Sequence, residues 1–213
     1  RDDHPHRKKD KLFRRDFNPV SDVREVLKHK ELRAINIVGI FVNMAMPFTV
    51  LVLPYIITQK MALSNTHLSI AVFLIGFAHL FQLGFGQFAD EVGKGRGVMT
   101  GIFLSAFGLI MLFFSHQYWV LLLFVLVKSV GNSIFNVSTW AYMSDYGEKY
   151  RIEGKVVGAY QSVVRIFSSV SNILTGLVLV SLGNGIFLVY GLLTLVPFLL
   201  VRKVMLSSVK KKS

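Results

Sequence analysis

Six long apolar runs dominate this chain, at about residues 34–58, 67–88, 97–115, 118–143, 156–182 and 184–204. Each comes close to the ~20 residues that an α-helix needs to cross the hydrocarbon core of a bilayer. The runs account for a mean hydropathy of +0.53 and a hydrophobic content of 53%, more than a soluble domain of this length would carry as uninterrupted stretches. The expected fold class is all-α, a polytopic membrane protein of six transmembrane helices.

The charge says how the spans are arranged. A net charge of +12 would suit a nucleic-acid partner if it formed one basic face. It does not. Eleven of the 24 Lys and Arg lie in residues 1–33 and five in 202–212. Lys94, Arg96, Lys149, Arg151 and Lys155 fall in two inter-span loops of the same parity, and only Lys60 lies in a loop of the other. That is the positive-inside pattern, so both ends are expected in the cytoplasm of a protein integral to the cell membrane. The implied partner is membrane lipid, with no nucleic acid. The division expected is a basic leader at 1–33, a six-helix transmembrane unit at 34–204 and a basic tail at 205–213. Within the leader, Asn18 and Pro19 suit the cap and first turn of a helix over about 19–33. Val20, Val23 and Leu27 give that helix an apolar stripe fit for the inner membrane surface, although a plain linker helix would read the same way. The polar start is no signal peptide, and without an initial Met the chain reads as a fragment of a longer one. Cysteine is absent, so there is no disulfide framework, and no Cys/His spacing suggests a metal. No phosphate-cradling loop of the Walker type appears, and neither a cofactor nor an enzyme site is expected.

Residues 86–96 read Gly-Gln-Phe-Ala-Asp-Glu-Val-Gly-Lys-Gly-Arg and join the second run to the third. Glycines permit a tight reversal, Asp90 is placed to meet the N–H groups of the next helix start, and Lys94 and Arg96 hold the loop at the cytoplasmic face. Gly86, Asp90, Gly93, Lys94 and Arg96 match the signature loop of the major facilitator superfamily (MFS) of transporters, which this segment closely resembles. Glu91 departs from it, standing where the family usually has a basic residue. A second, weaker resemblance lies in residues 144–158, where Asp145, Gly154 and Gly158 fit the loop between the fourth and fifth spans of a half and Glu153 replaces an arginine. Gly154 and Gly158 sit one turn apart, as close helix approach would require. The chain thus resembles one six-helix half of an MFS fold, the second, with its leader as the central cytoplasmic loop. The resemblance implies alternating access, with the 86–96 loop as a conformational gate.

Polar side chains inside the spans are unevenly shared. Residues 97–114 and 186–201 contain no Asn, Gln, His, Lys or Arg, whereas Asn36, Asn43, His79, Gln82, Lys128, Asn132, Asn136, Gln161, Arg165 and Asn172 populate the other four runs. Such groups are expensive against lipid and turn toward an interior. Lys128, Asn132, Asn136 and Thr139 form one helical stripe, and Gln161, Arg165, Ser168 and Asn172 another. Lys128 lies nine residues beyond Trp119, roughly 14 Å deep at the helical rise. Arg165 is as deep from the other side, and no Asp or Glu sits at that depth. A deep cation costs on the order of 3 kcal/mol, so something must offset each: an anionic substrate, or a carboxylate of the absent half. The expected substrate cavity comprises Lys128, Asn132, Asn136, Arg165, Asn43, Gln82 and Gln161. His79 is a candidate for proton coupling, or else simply a hydrogen-bonded neighbour. Pro47 and Pro54 are expected to bend the first span.

The function expected is secondary active transport of small solutes, anionic or partly anionic, by rocking of two halves around a midplane site. The missing N-terminal half of the same chain, or a second copy, would complete it. The alternatives are a six-span channel or receptor-like membrane protein, or a free-standing half that works as a homodimer. The outer loops are too short for a channel's selectivity filter.

Overall fold

Glycine sets how closely these helices pack. Helix α5 (Lys94–Phe113) crosses helix α6 (Tyr118–Tyr150) along a seam of Gly101, Ser105 and Gly108 on one side and Gly131 on the other. A Cβ at Gly108 would lie 2.6 Å from the Lys128 backbone nitrogen and 2.8 Å from its Cα. One at Gly101 would lie 2.7 Å from the Phe135 Cα, and one at Gly131 would press into the backbone of Ser105. Lipid tails are as apolar as leucine, so association in a membrane relies on such close backbone approach. On its other side α5 packs on helix α8 (Gly185–Ser207), where Gly191 faces Ala106 and Ile110. The third span, which lacks amide and basic side chains in its apolar part, is therefore the scaffold between its neighbours.

The computed structural model describes residues 19–207; the charged leader through residue 18 and the basic tail from residue 208 lie outside the described residues. The remaining elements are α1 (Pro19–Lys28), α2 (Lys30–Asn43), two π-helical segments at Phe48–Val52 and Tyr55–Lys60, α3 (Asn65–His79), α4 (Gln82–Val92) and α7 (Glu153–Leu182). No strand occurs among the described residues. Lys30–Lys60 taken as one helix, α5, α6 and α7 are each long and apolar enough to span a bilayer. Helices α3 and α4 meet at a 47° bend and add a fifth span if they cross together. The apolar part of α8, Gly185–Leu200, is about 24 Å long at the helical rise, shorter than a hydrocarbon core. Among the described residues, four helices, or five with the bent pair, are long and apolar enough to span, against the six spans expected. The difference lies in the bend at Leu80–Phe81 and in this short apolar segment.

The interior divides into two apolar clusters. One gathers Val26, Leu32, Ile35, Val38, Val98, Ile102, Phe135 and Tyr142 toward the α1 end. The other gathers Phe48, Val52, Ile56, Leu109, Leu112, Leu121, Val125, Phe187 and Tyr190 toward the opposite end. Helix α7 is the least enclosed of the long helices. A Cβ at Gly154, Gly158 or Gly176 would meet nothing within 4 Å, and Arg165 and Ser169 on the same face are exposed. The sequence reading of Gly154 and Gly158 as a close helix contact finds no partner helix among the described residues. The close approaches lie at Gly101, Gly108 and Gly131 instead, because there two backbones cross.

Gly108→Leu should therefore destabilise the fold by at least the ~1–3 kcal/mol typical of overpacking, since backbone atoms and not a side-chain tip would have to move. Gly158→Leu should leave folding of the isolated 19–207 unit within about 0.5 kcal/mol. Thermal unfolding of both variants in detergent, followed by the survival of a monodisperse species, checks the contrast. Equal losses would mean that the α5–α6 seam is not the packing centre.

Candidate functional site

The first span is broken where Pro47 enters it. Helix α2 stops at Asn43, and Ala45, Met46, Phe48 and Thr49 then donate to carbonyls three residues back. The winding immediately reverses: Leu53 N–H bonds the Phe48 carbonyl, five residues back, as Phe48–Val52 becomes a π-turn. Pro47 supplies no N–H, so the Asn43 carbonyl loses its regular helical donor and takes the Met46 N–H at 3.0 Å. The Ser168 hydroxyl of α7 adds a second donor to it at 3.1 Å, and the Ser171 hydroxyl donates to the Met44 carbonyl, whose regular donor, the Phe48 N–H, is turned to Ala45. Both serines are buried. In a membrane, freed backbone groups have to find such replacements within the protein. The Pro47 break and the serines of α7 therefore belong to one device, linking the first long helix to the fifth. Farther along, Thr58 donates to the Pro54 carbonyl at 2.9 Å and closes the second interruption within the same segment.

Lys128 lies against this break. It is 93% buried, its relative exposure being 7%, and its Nζ stands 4.6 Å from the centroid of the Phe48 ring. Among the described residues it has no carboxylate in salt-bridge range. The nearest acid along α6, Asp145, is 17 residues away, about 25 Å at the helical rise. An ammonium over an aromatic face is attracted by the ring quadrupole, which offsets part of the burial penalty without neutralising the charge. Asn132 and Asn136, on the turns that follow, are half-buried. Thr139 completes the stripe, buried, with no partner for its hydroxyl among the described residues.

The other expected cavity residues have separate settings. Arg165 is exposed on the open face of α7, and Gln161 one turn earlier is half-buried. Asn43 donates back to the Gly39 carbonyl at 2.9 Å, and Asn36 does the same to Leu32. His79 and Gln82 do come together, across the bend between α3 and α4. His79 Nδ1 lies 3.0 Å from Ser133 Oγ of α6 and 3.0 Å from Gln82 Nε2. With the amide as donor, Nδ1 accepts and the neutral ring carries its proton on Nε2.

At the α1 end, the α4–α5 junction is a single extended glycine, Gly93, with φ 94°, a backbone that favours glycine. A Cβ at Gly86 would lie 3.6 Å from Val137, an ordinary contact, and Asp90 and Arg96 are exposed. The ion pair of this loop is made by Lys94, whose Nζ donates to Asp145 Oδ1 of α6 at 2.6 Å. Lys155 at the start of α7 reaches Glu25 and Asp22 of α1, at 2.6 and 3.1 Å. The Tyr150 hydroxyl donates to Glu31, while the His29 ring stacks on Tyr150 at 3.8 Å. These contacts fasten α1, the α4–α5 junction and the α6–α7 junction to one end of the bundle.

Sequence reasoning missed several participants. Phe48 read as one more apolar residue. Ser168 read only as one member of a polar stripe and Ser171 was not singled out, since Pro47 signals a break in the helix but not which hydroxyls of another helix meet it. Lys94 and Asp145 were noticed in separate motifs and never paired.

Together these features define an all-α, multi-spanning membrane protein with a glycine-and-cation loop at one end and, inside, a buried lysine that has no carboxylate partner among the described residues. The sequence model of the Major Facilitator Superfamily matches residues 34–213, and the chain belongs to that family. No curated protein and no solved structure matches it.

A double-mutant cycle tests the device at Pro47. Ser171→Ala should destabilise by about 0.6–2 kcal/mol by removing the hydroxyl that serves the Met44 carbonyl. Most of that loss should vanish on a Pro47→Ala background, where regular winding returns the Phe48 N–H to the same carbonyl. Equal losses on both backgrounds would show that Ser171 contributes by packing alone.

Proposed function

We propose that this chain is one six-span half of a secondary active transporter that moves small solutes carrying an anionic group by alternating access. Membership of the superfamily and the helical membrane architecture support a transporter role. The observation that carries the anionic reading is Lys128, buried within a span and facing an aromatic ring where a carboxylate would be the ordinary partner. A solute oxyanion would supply that missing charge, with Asn132 and Asn136 one and two turns on to take its polar groups. Arg165, on the open face of α7, would meet the same solute or the facing half once the bundle is complete. The Lys/Arg distribution favours both ends of the unit in the cytoplasm.

The open face of α7 supports a second six-span half as the partner. Gly154, Gly158 and Gly176 leave room there for the close backbone approach that small residues allow. We take that half to belong to the same polypeptide, since the division at 1–33, 34–204 and 205–213 makes the leader a central loop. Asp90 and Arg96, exposed beside the Lys94–Asp145 pair, are then available to latch the facing half in one of the two states. His79 is the proposed proton-coupling residue. Protonation of Nδ1 would turn an acceptor for Gln82 and Ser133 into a donor, and so act on the α3–α4 bend itself.

The test uses the full-length protein in proteoliposomes. Uptake of a panel of carboxylates should exceed that of the matching amides. Lys128→Ala should reduce carboxylate uptake at least tenfold at limiting substrate, the loss of about 1.4 kcal/mol or more of charge-assisted binding. Arg165→Lys should lower it less, keeping the charge and losing the planar fork. Unchanged carboxylate preference in Lys128→Ala would overturn the anionic reading.

A further inference from the structure

Phe48 holds two positions at once. Its ring faces the Lys128 ammonium, at 4.6 Å, and its own carbonyl accepts a register-shifted bond of the π-turn. The ring is fully buried and its other neighbour is Phe187, with centroids 5.9 Å apart at 58°. Around it the backbone is overwound from Ala45 to Thr49 and underwound from Phe48 to Val52. Such a junction of opposite errors in winding is a place where a helix changes pitch at small expense, and π-turns inside helices are frequent at functional sites. The Lys128 main chain, in contrast, is pinned by its contact with Gly108. If the ammonium moves, the side chain moves and the backbone of α6 does not.

We infer that the Phe48 ring is the resting counterpart of the Lys128 ammonium and a built-in competitor for the anionic group of the solute. This rests on the anionic reading of Lys128 given above. A carboxylate arriving at Lys128 forms a charge-assisted hydrogen bond that a ring face cannot match, and the ammonium leaves the ring to make it. Phe48 then loses one of the contacts that hold it inward, which eases rewinding of the segment Phe48–Val52. Binding at α6 is in this way linked to the joint of the first span. Through the Asn43 and Met44 carbonyls, which Ser168 and Ser171 hold, it is linked to α7 as well. Phe48 is a positioning residue: it acts on the solute only through Lys128.

The experiment keeps the shape of the ring and removes its quadrupole. In the full-length protein, Phe48 is replaced by mono-, di- and trifluorophenylalanine, and binding of acetate, lactate and benzoate is compared with that of their amides. Each added fluorine should tighten carboxylate binding, by roughly three- to thirtyfold across the series, with the amides unmoved. A spin label at Val50, which is 63% exposed on the π-turn, should change mobility on adding carboxylate to wild type and stay unchanged in Lys128→Met. The controls separate the two claims. If no carboxylate binds wild type better than its amide, the anionic reading falls and this inference with it. If the preference exists, disappears in Lys128→Met and is untouched by fluorination, the anionic reading stands and the role of Phe48 is overturned.

Discussion

The close crossing of α5 and α6 is the constraint on which the rest depends. Bilayer-length apolar helices gain nothing from hiding from lipid, so they need contacts that lipid cannot match. Gly101, Gly108 and Gly131 supply them by removing every atom between the two backbones. Helix α8 then closes on the opposite side of α5 through Gly191. The α5–α8 side of the scaffold carries no amide or basic side chain in its apolar part, while α6 holds Lys128, Asn132 and Asn136 on the fixed seam itself. The other helices that carry such groups, α2 with its π-wound extension, α3–α4 and α7, are broken, bent or only loosely enclosed.

The same crossing explains the setting of Lys128. Its backbone is the surface against which Gly108 packs, so the side chain projects from a fixed point toward the break in the first span. A regular helix there would present no register shift. Pro47 creates the break, the serines of α7 repair its hydrogen bonding, and Phe48 turns its ring to the ammonium. Each feature is a response to the one before it, and the chain of cause runs from a missing N–H to the surroundings of a buried charge.

Much of this was legible in the sequence, because the relevant physics is local. Apolar runs must be helices in lipid, and the 86–96 loop announced the superfamily before any packing was known. The irregular winding of the first span falls where Pro47 and Pro54 stand. The burial of Lys128 accords with its place on a polar helical stripe, while the sequence reading left the neighbour of His79 unnamed. What the sequence hid is relational. Nothing in residues 94 and 145 says that they meet, since that depends on how two junctions stack at one end. Nothing distinguishes Phe48 from the other phenylalanines until the helix carrying Lys128 lies beside it. Gly154 and Gly158 have the spacing of a contact motif but meet no helix among the described residues, and which helix face meets a neighbour is decided by tertiary packing.

The central claim is that the polar face of α7 borders a wet interior shared with a second half. Nitroxide accessibility in the full-length protein reconstituted in bilayers tests it most directly. Labels at Ser169, on the open face with Arg165, and at Leu174, about 140° around the helix, are each collided with oxygen and with a water-soluble nickel chelate. Both positions are exposed in the unit described here. The expected result is nickel-dominated collision at Ser169 and oxygen-dominated collision at Leu174. Oxygen-dominated collision at both would place the whole exposed surface of α7 in lipid and contradict the shared interior.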